Sequence, residues 1–194
     1  MKTIWIATGN PNKAEEFQNM FGDQVQVKSM KDLKEPIKII ENGTTFEANA
    51  LIKARALYNV LHEPVISDDS GLEVDAMDGG PGVYSARFMG EDTSYTIKNQ
   101  AIMDAVKGKT RSARYVCVIA YIDENGHEST YRATCEGQIN DQAVGTNGFG
   151  YDPIFYYPPF QTTLANVSEA KKNTISHRAK ALQMFMADKG AELL

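Results

Sequence analysis

The chain has 194 residues, 42% of them hydrophobic and 23% charged, and a formal net charge of −5. That length and composition suit one ordinary globular domain, residues 1–194, with room for two lobes. The acidic balance argues against bulk nucleic-acid binding while leaving room for one concentrated basic pocket, and no apolar run approaches the length of a membrane span. The stretch Met1–Ala7 is too short for a signal peptide and carries no cleavage site. Cys117 and Cys135 lack zinc-type spacing and read as reduced, buried residues of a cytoplasmic protein.

Thr3–Ala7 reads as a buried first strand running into Thr8-Gly9-Asn10-Pro11-Asn12-Lys13, with a helix from about Asn12 to Phe21. A strand, a polar Gly-containing turn and a helix start form an anion site, because free N–H groups and the helix dipole point at the turn. Lys13 adds a point charge. The loop is not a Walker A motif, since the second Gly and the Lys-Ser/Thr pair are missing. Plain helix capping by Asn10 or Asn12 is the competing reading.

Val25–Ser29 and Ile37–Ile40 are the next short strand candidates, with Glu41 at the end of the second. Thr44 to Glu47 has capping-box spacing. A helix is expected from there to about Leu61, with Phe46, Ala50, Ala54, Leu57 and Leu61 as its apolar stripe. Asn49 and Lys53, four apart, lie beside that stripe. Lys53 is either a snorkelling surface residue or a group that reaches a phosphate.

Pro64-Val65-Ile66 then leads into Ser67-Asp68-Asp69-Ser70-Gly71, after which Leu72 and Val74 resume a strand-like alternation. Carboxylates at the end of a buried strand are costly to desolvate unless they meet a cation, and Mg²⁺ held by carboxylate oxygens would supply one. A turn in which Asp68 or Asp69 bonds its own backbone is the alternative. Asp78 to Phe88, with three glycines and a proline, is a loop with demanding backbone angles, either a surface connection or a wall of a cleft. Ser94–Val106 reads as a helix.

Ser112–Ile122 and Glu128–Ile139 alternate like strands about the hairpin pair Asn125-Gly126, and they place the two cysteines on partner strands. The fold expected is therefore mixed α/β with a long hairpin. Gly145 to Phe155 is rich in glycine. Its Phe149 and Tyr151 suit stacking on a flat ligand, and Asp152 suits a bond to the ligand's edge, although an irregular hairpin fits the same residues. Ser168 to Asn173 opens another helical stretch. Ser176 caps the last helix, packed by Ala179, Leu182, Phe185 and Met186 and ended by Gly190. His177 and Arg178 on its first turn are cations at the positive helix end, which an anionic or carbonyl-bearing partner would explain.

Taken together, six motifs stand in the order and spacing of one family. They are Thr8 to Lys13, Glu41 to Phe46, Ser67 to Leu72, Gly80 to Arg87, Gly148 to Pro153 and Ile175 to Arg178. Over essentially its whole length the chain resembles the inosine/xanthosine triphosphate pyrophosphatases, which remove non-canonical purine nucleotides, and Tyr151 matches the bacterial branch. The resemblance implies two lobes about a long, bent mixed sheet flanked by helices, with the substrate in the cleft between them, and a homodimer. It implies a Mg²⁺-dependent cut of ITP, dITP or XTP to monophosphate and pyrophosphate.

Carried over by position, Thr8, Gly9, Asn10, Pro11, Asn12 and Lys13 would hold the triphosphate, with Lys53 and Ser70 nearby. Glu41 and Asp69 would hold the metal, with Asp69 as general base. Phe149, Gly150, Tyr151 and Asp152 would take the base, with Lys172, His177 and Arg178 around its edge. Glu47 receives no role beyond capping. Selectivity is expected at the purine six-position, where hypoxanthine and xanthine offer a carbonyl and adenine an amine. A donor from Arg178 or a loop N–H would be left unpaired by adenine at about 1–3 kcal/mol. Rejecting guanine must then depend on its two-amino group. Two rivals remain: a broader nucleotide pyrophosphatase acting on modified pyrimidine or guanine triphosphates, and a nucleotide sensor that has lost hydrolysis. Such a sensor would not need both Glu41 and Asp69.

Overall fold

The computed structural model describes residues 2–193. In chain order it contains β1 (Lys2–Ile6), α1 (Pro11–Phe21), β2 (Val25–Ser29), α2 (Phe46–Leu61), β3 (Val65–Val74), β4 (Gly80–Pro81), α3 (Tyr95–Ala105), β5 (Ser112–Ile122), β6 (Glu128–Ile139), β7 (Phe155–Tyr157), β8 (Thr162–Thr163), α4 (Glu169–Asn173) and α5 (His177–Leu193). The fold is mixed α/β. The strands hydrogen-bond in the order β2-β1-β3-β5-β6-β7-β8, with β4 on β3.

The chain forms two compact units. The first holds Met1–Asp69, Cys117–Arg132 and Ala181–Leu194; the second holds Ser70–Val116 and Ala133–Lys180. Strand β3 therefore passes from one unit to the other between Asp69 and Ser70.

In the first unit β1 pairs in parallel with β2 and with the start of β3, Trp5 opposite Val65 and Ile6 opposite Ile66. Parallel neighbours need crossovers, and α1 and α2 supply them. Asn10 caps α1 by accepting from the Asn12 N–H, and Pro11 takes the first helical position, where its missing N–H costs nothing. The buried face of α2 comprises Phe46, Asn49, Ala50, Lys53, Ala54 and Leu57. The Ser67 hydroxyl donates to the Ala50 carbonyl at 2.5 Å and ties α2 to β3. Aromatic edges of Tyr131 and Phe21 meet Phe185 of α5, and the Tyr131 hydroxyl donates to Asp188.

The core of the second unit gathers Leu72 and Val74 of β3, Ile102 and Met103 of α3, Ala113 and Tyr115 of β5, Cys135 and Ile139 of β6, and Tyr151, Ile154, Phe155 and Leu164. Antiparallel pairs β6–β7 and β7–β8 build its sheet. Both cysteines are buried thiols, and burial pushes the Cys135 thiol up to about 11. No helix among the described residues is long and apolar enough to cross a membrane.

Four local expectations are corrected. Ile37–Ile40 forms no strand; the run lies between Pro36 and Asn42-Gly43 and leaves Ile40 68% exposed, so nothing repays ordering it in a sheet. Thr45, not Thr44, caps α2, its side chain accepting from the Ala48 N–H. The adjacent acids do not end a strand, because β3 continues through Asp68, Asp69, Ser70 and Gly71 as one ten-residue element. Helix α5 runs past Gly190 to Leu193. Gly190 is buried against Met186, where an added Cβ would come within 3.3 Å of Met186 Cε, so close packing accounts for this glycine.

Candidate active site

The charged residues singled out in the first unit converge. Lys53 projects from the buried face of α2, and its Nζ lies 2.8 Å from Glu41 Oε2 and 3.1 Å from Asp69 Oδ1. One cationic centre is therefore shared by both proposed metal ligands. Lys13, on the first turns of α1, reaches Asp68 Oδ2 at 3.1 Å. Successive residues of a strand point to opposite faces, and here each acid of the pair meets its own lysine.

Glu41 comes from a loop that α2 holds in place. Asn49 accepts a 2.8 Å hydrogen bond from the Gly43 N–H and is itself buried. The sequence placed Asn49 beside the apolar stripe without giving it this role. Thr8 is buried, and its hydroxyl oxygen accepts from the Asn10 N–H at 3.1 Å. Gly9, Asn10, Pro11 and Asn12 are exposed at the mouth of α1. The helix capping read from the sequence is thus present.

Burial is the largest influence on Asp69 and pushes its carboxyl above the usual range, with Lys53 and Lys13 pulling it back and Glu41 adding to the rise. Burial alone would lower Lys53, but Asp69, Asp68 and Glu41 together outweigh it and hold its pKa up. Asp69 Oδ2 is buried and has no hydrogen-bond partner among the described residues. A buried carboxylate oxygen left open beside a second carboxylate suits a hard divalent cation. The described residues contain no group of three or more His, Cys, Asp or Glu poised to hold a metal. Two carboxylates fit Mg²⁺, which keeps several waters and takes substrate phosphate oxygens.

In the second unit the base-site candidates are organised around Asp152, which is 2% exposed. Its Oδ2 accepts from Lys172 Nζ at 2.7 Å and from the Phe149 N–H at 3.1 Å, and its Oδ1 accepts from the Tyr115 hydroxyl at 3.0 Å. The carboxylate read from sequence as an edge contact for a ligand is committed to holding the loop. Gly148 has φ +69°, and a Cβ there would lie 2.2 Å from Asp152 Oδ2, so only glycine lets the loop close over this acid.

Of the two aromatics expected to stack, Phe149 is 39% exposed, with Lys172 Nζ 5.0 Å from its ring centre. Tyr151 is buried, its ring edge-on to Tyr95 and its hydroxyl donating to the Ser85 carbonyl at 2.5 Å. Phe149 therefore offers a face, while Tyr151 anchors the loop. Ser85 continues the anchor: its hydroxyl donates to the Gly82 carbonyl and accepts from the Leu72 N–H of β3.

His177 and Arg178 at the start of α5 are buried. Tyr115 stacks on His177 at 4.8 Å with an interplanar angle of 13°, and Arg178 Nη2 donates to Ser70 Oγ at 3.3 Å. Burial, then the nearby Asp152 charge, drives the Tyr115 hydroxyl well above its usual pKa, so it remains a donor. Tyr115, Ser85 and Asn99 escaped the sequence reading. Tyr115 alone left a signal, a polar-tipped ring at an inward position of a strand, which needs a partner when buried.

Comparison with known proteins identifies the lineage. The model of the Ham1 family matches residues 4–188. The chain belongs to the Ham1 family. A protein of Listeria monocytogenes serotype 4b (strain F2365) named dITP/XTP pyrophosphatase is 44% identical over 192 residues, covering 97% of this chain and 95% of that protein. One of the same name from Shouchella clausii (strain KSM-K16) is 46% identical over 186 residues, covering 94% of this chain and 93% of its own length. The solved structure of the Staphylococcus aureus Ham1 protein superposes with a TM-score of 0.90 at 39% identity, covering 98% of this chain and all of that one.

Proposed function

We propose that this Ham1-family chain is a nucleoside triphosphate pyrophosphohydrolase that cuts non-canonical purine nucleotides, dITP, ITP and XTP, to the monophosphate and pyrophosphate. The observation that carries the reading is the meeting of Glu41 and Asp69 on the Lys53 ammonium, with Lys13 on the neighbouring acid, in a chain whose relatives bear the name dITP/XTP pyrophosphatase.

In this reading the first unit handles the polyphosphate. The N–H groups at the start of α1, with Lys13 and Lys53, neutralise the leaving pyrophosphate. Each lysine then exchanges a carboxylate partner for phosphate oxygens. Asp69 takes the proton of the attacking water, and burial of its carboxyl, which strengthens its hold on a proton, favours that role. Glu41 and Asp69 would hold Mg²⁺, which when bound supplies charge relief at the phosphoryl oxygens.

The second unit reads the base. Phe149 offers a stacking face, and Arg178 with a loop N–H offers donors for a six-position carbonyl. Lys172 and Asp152 maintain the loop. The reading includes a homodimer, for which exposed Tyr84, Met89 and Ile97 provide apolar surface to cover; sedimentation tests it.

The deciding experiment incubates the purified protein with dITP, XTP, ITP, GTP and ATP, with and without Mg²⁺, and assays pyrophosphate and phosphate separately. Expected is pyrophosphate from the first three at about tenfold or more over GTP and ATP, and none with a chelator. Phosphate as the product, or equal rates on ATP, would remove the reading.

A further inference from the structure

We propose that Asn99 is a positioning residue for base selectivity: it holds the Gly150 carbonyl so that the N–H of the same peptide, that of Tyr151, is presented to the purine six-position. The proposal rests on the function proposed above and adds to it a residue on α3, outside all six motifs.

Asn99 is 5% exposed. Its Nδ2 donates to the Gly150 carbonyl at 3.2 Å, and its Oδ1 is buried with no partner among the described residues. Among the described residues, the bond to Gly150 is thus the one polar tie that orients this side chain. A buried amide with an unmet carbonyl is costly, and an apolar residue would fill the same space without that cost. Such groups call for an explanation, and the explanation here is what the amide holds.

A trans peptide is planar, with its C=O and N–H pointing in opposite directions. Fixing the Gly150 carbonyl toward α3 therefore turns the Tyr151 N–H away from α3. Gly150 has φ +67°, a conformation that needs a tether to be unique. Two nearby N–H groups of the loop are already taken: Phe149 donates to Asp152 Oδ2, and Asp152 donates to the Phe149 carbonyl; the Gly150 N–H belongs to the preceding peptide, which Asn99 does not hold. The Tyr151 N–H donates to no group among the described residues. A rigid backbone N–H donates to a carbonyl oxygen and is left unpaired by an amine, which is the difference between inosine and adenosine. The same helix steadies the loop through Tyr95, edge-on to Tyr151 at 5.1 Å, but that contact carries no directional information for the peptide.

The test compares wild type with Asn99→Leu, which keeps volume and loses the donor, and with Asn99→His, whose Nδ1–H can stand where the amide N–H stands. Three readouts are taken: kcat and KM on ITP and ATP, inhibition by inorganic triphosphate, and calorimetric binding of inosine and adenosine monophosphates. In Asn99→Leu the ITP-over-ATP ratio of kcat/KM is expected to fall about tenfold or more, mainly through a higher KM for ITP. Inorganic triphosphate should inhibit as in wild type, and Asn99→His should recover part of the ratio.

An unchanged ratio in Asn99→Leu, equal losses on both nucleotides, or a parallel loss of triphosphate inhibition would overturn the proposal and indicate general damage. If Asn99→Leu does not fold, Asn99→Ser is read in the same way. If wild type hydrolyses none of the triphosphates, the proposed function fails, and the monophosphate arm still decides the role of Asn99: a wild-type preference for the inosine nucleotide that disappears in Asn99→Leu upholds it, and a preference that survives rejects it.

Discussion

The charged cluster of the first unit and the Asp152 hub of the second both bury carboxylates against lysine, yet they are built differently. Lys53 is shared between Glu41 and Asp69, Glu41 remains partly exposed, and one oxygen of Asp69 is open. Under the proposed function, those ion pairs would be traded for a metal ion and phosphate. Asp152 instead accepts from a lysine, a phenol and a backbone N–H, all internal. Removing the lysine strands a buried charge. Under the proposed function, the contrast separates groups that would change partner during turnover from groups that would stay fixed.

The sharpest way to break the contrast is Asp69→Asn. Hydrolysis should fall about 10³-fold or more, while stability stays within about 1–2 kcal/mol because Glu41 still faces Lys53. Single-turnover kinetics and denaturant melts measure the two effects. Lys172→Met should do the reverse. It leaves Asp152 uncompensated in the interior and should cost about 3–5 kcal/mol of stability, and adding Asp152→Asn should recover part of it. A Lys172→Met variant as stable as wild type would show that the hub does not depend on this pair.

Metal provides a third, smaller comparison. Mg²⁺ at 10–100 times its Kd should stabilise the protein by about 1–3 kcal/mol, seen as a rise in Tm. That rise should vanish in Glu41→Gln and in Asp69→Asn and persist in Asp152→Asn.

The smallest effect concerns pH. The Tyr115 hydroxyl has a pKa raised by burial and by Asp152. Its contribution to stability is therefore complete below the unfolded phenol's pKa near 10 and is lost as pH rises toward the folded value. Stability measured above about pH 10 should fall less steeply in Tyr115→Phe than in wild type.

Most of the elements were legible because local chemistry and tertiary context agree in them. The helices α1, α2 and α3 carry side-chain caps at Asn10, Thr45 and Ser94, and β5 and β6 flank an Asn-Gly turn with Gly126 at φ +82°. Ile37–Ile40 failed because an apolar run becomes a strand only where burial repays ordering it, and Ile40 stays exposed. The continuity of β3 through Asp68 and Asp69 was hidden because isolated carboxylates read as breakers; the two lysines that neutralise them lie far away in sequence. The charged half of the candidate site was legible as residue types. The inward use of Asp152 and Tyr151 was not, since hydrogen-bond partners such as Tyr115 and Ser85 are set by tertiary packing. For the same reason nothing in the sequence distinguished Asn99 from a solvated helix residue.

One consequence follows from β3. The two acids and Ser70 occupy consecutive places on a single uninterrupted extended segment, where neighbours alternate between faces. A one-residue insertion or deletion within that segment would therefore trade the partners of Lys13 and Lys53 at a stroke. Length variation in the lineage should be confined to the connecting loops, with the ten positions from Val65 to Val74 keeping constant length.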